Sequence, residues 1–426
     1  MKHLPPHKTR CSRRKLLQNS ARLAALAAAA GSAPLPGLTA LAQTPALRVE
    51  AVDAYPIYIN QRSDRLLDAP SFAGDDDVRR WRYGGPFEQL PSAIIAIVKT
   101  NQGITGFGMG AGGSAAVEII DGHLKHLLLG ANPLNVEQLW DQMYTSGVFY
   151  GRRGLFVMAL SALDNALWDI AGKHADLPVY QLLGSADRDR LEIYQTNGDF
   201  QAGKAAGVRN FKRTTAGGPR MSQQALDRYV ESVLEARDSL GPDVRLMTDC
   251  VSRDGTVDWA LNLAERLRPA NLYFMEELLS PDDVFGYAEL ARRIGQREEG
   301  WTRIACGEHE YTEHGFNVLV QLGSADILQP DITWCGGTTA GRRIARLVEN
   351  AGLEIIPHRG GSSWGFPIAL TSPSCTMAES FPEGSEILDA MSCRVENGYV
   401  IAPTEPGFGT KLTEQMVLEH RLTERI

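Results

Sequence analysis

Five short apolar runs end in groups that can hold a cation or move a proton. VRLMTD closes on Asp249, LYFMEE on Glu276 and Glu277, RIACGE on Glu308, DILQPD on Asp331 and LEIIPH on His358. Carboxylates crowded together repel, and burial forces at least one to take a proton unless a cation neutralises them. A hard divalent ion with oxygen ligands, Mg2+ first, would satisfy Asp249, Glu308 and Glu276 or its neighbour Glu277, a choice the residues alone leave open, and keep positions open for an oxyanion. Each acid could instead cap the helix after its strand. Three in phase favour chemistry, because functional residues of barrels gather at the carboxyl ends of the strands. Asp331 and His358 can meet as a dyad in which the carboxylate fixes the tautomer and raises the basicity of the other ring nitrogen.

The spacing says what must position them. Asp249, Glu276, Glu308, Asp331 and His358 follow one another at intervals of 27, 32, 23 and 27 residues. That is about one strand, loop and helix each, the repeat of a β/α barrel. LEIYQTN (191–197) and VRNFKRT (208–214) read as the first two strands, and residues 374–380 as an eighth. Between strands, SQQALDRYVESVLEARDSL starts at Ser222 as an N-cap, and TVDWALNLAERLRPA ends at a proline. Upstream, LRVEAVDAYPIYI alternates as an edge strand, and SAIIAIVKT and ITGFGMG flank an Asn101-Gln102-Gly103 turn. Helices are expected over 114–147, broken near Pro133 and Asn135. The irregular 60–92 segment, with Phe72, Trp81 and Tyr83, reads as a lid. From Gly154 an apolar helical face (Leu155, Ala159, Ala162, Ala166, Ile170, widened by Phe156, Leu160, Leu163 and Leu167) is broad enough to be buried on both flanks.

With 426 residues, 43% of them hydrophobic, the chain can bury a large core and hold two domains. Residues 1–42 carry seven basic residues and no acid, leaving 36 basic against 51 acidic residues in the rest, a net of −15. That body lacks the basic face a nucleic-acid binder needs. The basic start, the apolar run Ala21–Ala30 and Ala40-Leu41-Ala42 read as an export signal with its cleavage site. Arg13-Arg14 ahead of that run resembles a twin-arginine signal. The expectation is a periplasmic protein, not membrane-bound once the signal is removed, with no later run of about 20 apolar residues. Cys250, Cys306, Cys335, Cys375 and Cys393 are an odd set without close spacing, a poor disulfide framework and better read as buried thiols.

Together the blocks ALSALDNALWDIAGK, LPVYQLLG, LMTDC, MEE, GEH, DILQPDITWCGG, IIPH with GGSS, and PGFG at 406–409 resemble the mandelate-racemase-like branch of the enolase superfamily, within it the L-rhamnonate dehydratase group. The resemblance implies an α/β fold: a modified TIM barrel, (β/α)7β, under an N-terminal α+β capping domain. The expected division is signal 1–42, cap 43–153, barrel 154–384 and a C-terminal segment 385–426 returning to the cap. It implies Mg2+ on Asp249, Glu276 and Glu308, with Glu277 behind them, and Asp331–His358 as the catalytic dyad. His309 is implied as a substrate contact, its alternative an outward-facing neighbour of a ligand. Glu379 would be a hydrogen-bond donor or supporting acid, or else a solvent-facing helix cap. Relatives are commonly symmetric assemblies, which implies a homo-oligomer.

One position narrows the chemistry. Many members carry a Lys-x-Lys pair on the second barrel strand, whereas this chain reads Lys212-Arg213-Thr214. Losing the second lysine disfavours racemisation by two bases and leaves a one-sided route, with His358 taking the α-proton and returning one to the departing β-hydroxyl. Lys212 would offset enolate charge, the alternative being a solvated or salt-bridged strand-end lysine. The implied substrate is a small sugar acid. It need not be L-rhamnonate, because no histidine lies between His7 and His123 to contribute from the cap loop. A cycloisomerase or epimerase using the same enolate, and an exported sugar-acid binding protein without turnover, stay as alternatives.

Overall fold

The computed structural model describes residues 46–57, 93–184, 188–214, 218–252, 254–296, 301–381 and 383–422. The export signal at 1–42 and the lid expected at 60–92 fall outside them. Strands β1 (Val49–Ile57), β2 (Ala93–Thr100) and β3 (Thr105–Ala111) form an antiparallel meander, with β2 in the centre. The β2–β3 turn is the one expected, closed by Thr100 N donating to Ile104 O at 3.0 Å, with Gly103 at φ +78°. The 114–147 stretch is helical but interrupted, by a π-helical turn at Ile120–Leu124 and a bend before Val136–Ser146.

The glycine alternation of β3 explains how the meander meets the rest. A Cβ on Gly106, Gly108 or Gly110 would lie 2.2, 2.0 or 2.4 Å from the carbonyls of Ala166, Ala162 and Met158. Those carbonyls recur every four residues on one face of the Leu155–Ala175 helix, so its backbone rests directly on the strand. Every residue from Phe156 to Ile170 is buried. This helix is long and apolar enough to cross a membrane, contrary to the expectation that no such stretch follows the signal, but nearly all of it is covered by protein.

Its polar residues serve the next layer. The Gly337–Asn350 helix begins at Gly336 with no side-chain cap of its own. Ser161 Oγ accepts from Gly336 N (2.9 Å), Asn165 Oδ1 from Thr338 N (3.0 Å) and Asp164 Oδ2 from Thr339 N (2.8 Å). Three buried backbone donors at a helix start, which have no partner within their own helix, are thus satisfied from another helix. Burial raises the Asp164 pKa to about 7, against the pull of the two Thr339 bonds.

Strands β4 (Arg190–Thr196), β5 (Asn210–Thr214), β6 (Arg245–Asp249), β7 (Phe274–Glu276), β8 (Arg303–Cys306), β9 (Ile327–Leu328) and β10 (Glu354–Ile355) pair in parallel in sequence order. Strand β11 (Met377–Glu379) pairs in parallel with β4, bringing the eighth strand back to the first. It is shorter than the expected 374–380, because the Arg188 guanidinium takes the carbonyls of Ala369, Leu370, Ser372 and Cys375 and holds the approach in a turn. Inside the barrel, Tyr194, Met247, Phe274, Ala305, Ile327, Ile356 and Met377 form their own buried cluster. Strand β5 contributes Lys212 instead, in register with Met247 and 1% exposed. After the barrel, β12 (Val395–Glu396) and β13 (Tyr399–Ile401) form a hairpin on β4. The tail then reaches the meander, where Glu414 meets Lys99 of β2 at 2.7 Å and Leu422 N donates to Pro56 O of β1 at 2.9 Å.

The five described cysteines are buried and unbonded, as a poor disulfide framework predicts. Burial pushes the thiols of Cys375 and Cys393 up to about 12.

Candidate active site

Parallel register brings the strand ends level: Thr214 pairs with Asp249, and Asp249 with Glu276. At the mouth the strand alternation is broken by left-handed backbone. Asn197, Val251, Glu277 and Arg359 have φ of +56°, +43°, +47° and +53°, directly after β4, two residues past β6, directly after β7 and directly after His358. Such φ values are uncommon outside glycine and cost most for a β-branched residue such as Val251, so the surroundings must hold them. At Glu277 the effect is visible. In a continued strand it would point away from Glu276, yet its Oε1 lies 2.7 Å from His309 Nδ1. Gly307, at φ +124°, makes the corresponding corner before Glu308; a Cβ there would sit 2.9 Å from the Phe316 ring.

The structure brings together Asp249, Glu276, Glu277, Glu308, His309, Asp331, His358, Lys212 and Glu379, while the lid residues Phe72, Trp81 and Tyr83 lie outside the described residues. Asp249, Glu276 and Glu308 are buried, and one ligand oxygen from each lies within 4.8 Å of the others. Burial, then the neighbouring Glu276, holds the Asp249 carboxyl well above the usual carboxylate range. Glu308 is raised well above it by burial and by Glu277, Glu276 and Asp249, against the pull of His358. Glu276 Oε1 is buried without a hydrogen-bond partner among the described residues. Buried acceptors are rarely left so, and an all-oxygen, mutually repelling donor set with one orphaned oxygen fits a hard cation such as Mg2+. Glu277, Glu308 and His309 also converge within 4.8 Å, but the short bond to His309 already engages Glu277, so the all-carboxylate set is the better cation site.

His358 Nδ1 lies 2.7 Å from Asp331 Oδ2, while Asp331 Oδ1 accepts from Thr333 N and Oγ1 at 2.7 and 2.6 Å. A carboxylate can only accept, so Nδ1 carries the hydrogen and Nε2 faces Glu308 Oε2 at 3.7 Å and Glu379 Oε2 at 3.8 Å. Burial works against the imidazolium, but Glu308, the bond to Asp331 and Glu379 outweigh it and raise the His358 pKa. Burial likewise opposes ionisation of Asp331, yet its bond to His358 and the charges of His358 and Arg359 lower it overall.

Lys212 is salt-bridged, but inside the barrel rather than in solvent. Its Nζ meets Glu276 at 2.8 Å, Glu379 at 3.1 Å and Asp249 at 3.4 Å. Glu379 is no solvent-facing cap. Burial opposes its charge, but Lys212, His358 and the donors Arg359 N (2.8 Å) and Thr196 Oγ1 (2.6 Å) pull it down to about 2. It accepts from Thr196, Arg359 and Lys212, which is the supporting-acid form of its expected role rather than the donor form. The Trp334 ring packs near both histidines, its centroid 5.7 Å from that of His309 and 5.2 Å from that of His358. Sequence reasoning missed Thr196, Trp334 and Gln329, whose Nε2 donates to Glu276 Oε2 at 3.0 Å. Gln329 was within reach: Ile327 faces the barrel interior, and strand alternation puts the residue two further on the same side.

A capped barrel whose mouth joins a carboxylate trio to a histidine–aspartate dyad defines a class, enzymes that couple a cation site to proton transfer. The comparisons name the family. The enolase C-terminal domain-like model matches residues 199–416, and the mandelate racemase / muconate lactonizing enzyme N-terminal domain model matches residues 88–184. An L-rhamnonate dehydratase of Saccharopolyspora erythraea is 35% identical over 374 residues, 85% of this chain and 94% of the relative. The crystal structure of rhamnonate dehydratase from Gibberella zeae complexed with Mg superposes with a TM-score of 0.73 at 26% identity, over 88% of this chain and 96% of that one. L-talarate dehydratase from Polaromonas sp. JS666, complexed with Mg and L-glucarate, gives 0.69 at 26% identity, over 88% and 98%. The chain belongs to the mandelate racemase / muconate lactonizing enzyme family of the enolase superfamily.

Proposed function

We propose that this protein is a Mg2+-dependent sugar-acid dehydratase that converts an aldonate to a 2-keto-3-deoxy acid. The observation that carries the reading is one-sidedness: His358 faces the carboxylate trio, while the second strand offers Thr214 where a second base would stand. Asp249, Glu276 and Glu308 would hold the ion, whose contribution is to neutralise the substrate carboxylate and acidify the neighbouring C–H. His358 Nε2 takes the α-proton, and Asp331, bonded at Nδ1, stabilises the imidazolium that forms. The same Nε2–H is then delivered to the β-hydroxyl as the C–O bond breaks, so the proton removed leaves in water and the enol product tautomerises to the keto acid. Lys212 offsets charge from behind the carboxylates, and Glu379 stays ionised beside them. His309, oriented by Glu277, is the substrate contact. Dehydratase relatives support the substrate class.

Incubating the Mg2+-loaded enzyme with a panel of aldonates, L-rhamnonate included, yields a semicarbazide-reactive 2-keto acid from at least one. Turnover without keto acid would instead point to an epimerase or cycloisomerase. The export reading rests on residues 1–42: fractionation recovers the processed protein from the periplasm, and Arg13→Lys with Arg14→Lys leaves it in the cytoplasm. Continued export of that double variant sinks the twin-arginine assignment.

A further inference from the structure

Glu276 is tethered by one oxygen only. Its Oε2 accepts Lys212 Nζ at 2.8 Å and Gln329 Nε2 at 3.0 Å, whereas its buried Oε1 has no hydrogen-bond partner among the described residues. The two donors come from different parts of the barrel, Lys212 from β5 and Gln329 just past β9. Gln329 is fully buried, and its backbone N donates to Cys306 O at 3.0 Å, which ties it to β8. Its amide has one tolerable orientation: flipped, its oxygen would face a carboxylate oxygen, two acceptors with no hydrogen between them.

Cations differ in what they ask of a carboxylate. Mg2+ demands near-octahedral geometry at short distances, whereas Ca2+ accepts more ligands at longer range and often takes both oxygens of one carboxylate. A glutamate with one oxygen pinned by two donors suits the first and frustrates the second. We propose that Gln329, acting with Lys212, confines Glu276 to a single oxygen toward the cation and thereby sets the site's preference for Mg2+ over Ca2+. Gln329 is a positioning residue, since it acts through Glu276. The inference rests on Asp249, Glu276 and Glu308 being the cation ligands.

Calorimetric titration of the folded protein with MgCl2 and with CaCl2 separates the two layers. If the parent protein takes up neither ion, the ligand assignment fails and this inference with it. If it binds Ca2+ as tightly as Mg2+, the ligands stand and the selectivity role is overturned without any variant. Two substitutions then probe the residue: Gln329→Met keeps the length and loses the donor, and Gln329→Asn keeps an amide too short to reach. Both are expected to raise the Kd for Mg2+ about tenfold, the lower end for residues that orient a ligand, and to leave Ca2+ unchanged or tighter. Circular dichroism confirms folding. Parent-like binding of both ions, or an equal loss for both, overturns the proposal. Should neither variant fold, the parent's Mg2+ to Ca2+ ratio decides.

Discussion

Replacing His358 by asparagine is expected to lower kcat by roughly 10²- to 10⁴-fold, the range of a general acid–base group, while Mg2+ binding and thermal stability stay near the parent's. Asparagine is close to histidine in reach, and its amide can still donate to Asp331 Oδ2, which takes the imidazole at 2.7 Å. It cannot cycle a proton. Because one nitrogen is assigned both the α-proton and the departing hydroxyl, exchange of the α-hydrogen with solvent deuterium should vanish together with keto-acid formation. Exchange that survives would assign the base elsewhere, and His309, the second histidine beside Trp334 and Glu308, would be the first residue to test. Unchanged substrate binding in the variant, with neither exchange nor turnover in the parent, would make the chain a sugar-acid binding protein.

The strand ends were legible because a barrel writes its period into the chain. Five apolar runs closing on ionisable residues at near-constant intervals need no long-range knowledge, and Asp249, Glu276, Glu308, Asp331 and His358 do converge. What escaped was set by contacts distant in sequence. The polar residues of LSALDN look like flaws in an apolar helix until the Gly337–Asn350 helix is found to start on them. The glycines of TGFGMGA mark a close approach, but only the fold says that the Leu155–Ala175 helix is what approaches. Glu277 was assigned a supporting place by resemblance; its reach to His309 depends on a left-handed φ that no local pattern announces. The role of Lys212 turned on burial, since a strand-end lysine in solvent and one inside the barrel read alike.

That burial makes Lys212→Met the largest expected loss of stability. The ammonium is 1% exposed and sits within 3.4 Å of three carboxylates, so its removal leaves buried charge uncompensated. Breaking a buried pair this way costs about 3–5 kcal/mol, and without added metal the Tm should fall by several degrees. The pH dependence has a definite sign. Glu379 is held at about 2 chiefly by Lys212, so the stability it contributes is present above its ordinary carboxylate pKa and lost as pH falls through the depressed one. Asp249 is already raised and loses a charge that lowers it, so its penalty grows as pH rises through its folded pKa. The Asp249 contribution makes the variant's deficit larger at pH 8 than at pH 5, where protons can replace the missing cation, whereas the Glu379 contribution is already complete at pH 5 and fades only as pH falls further. Saturating Mg2+ binds only the native state and should recover part of the loss. Thermal melts of parent and variant at the two pH values, with and without Mg2+, check each step. A deficit that is the same at both pH values and indifferent to Mg2+ would mean that Lys212 serves packing alone, and its role as counter-charge to the carboxylates would have to be withdrawn.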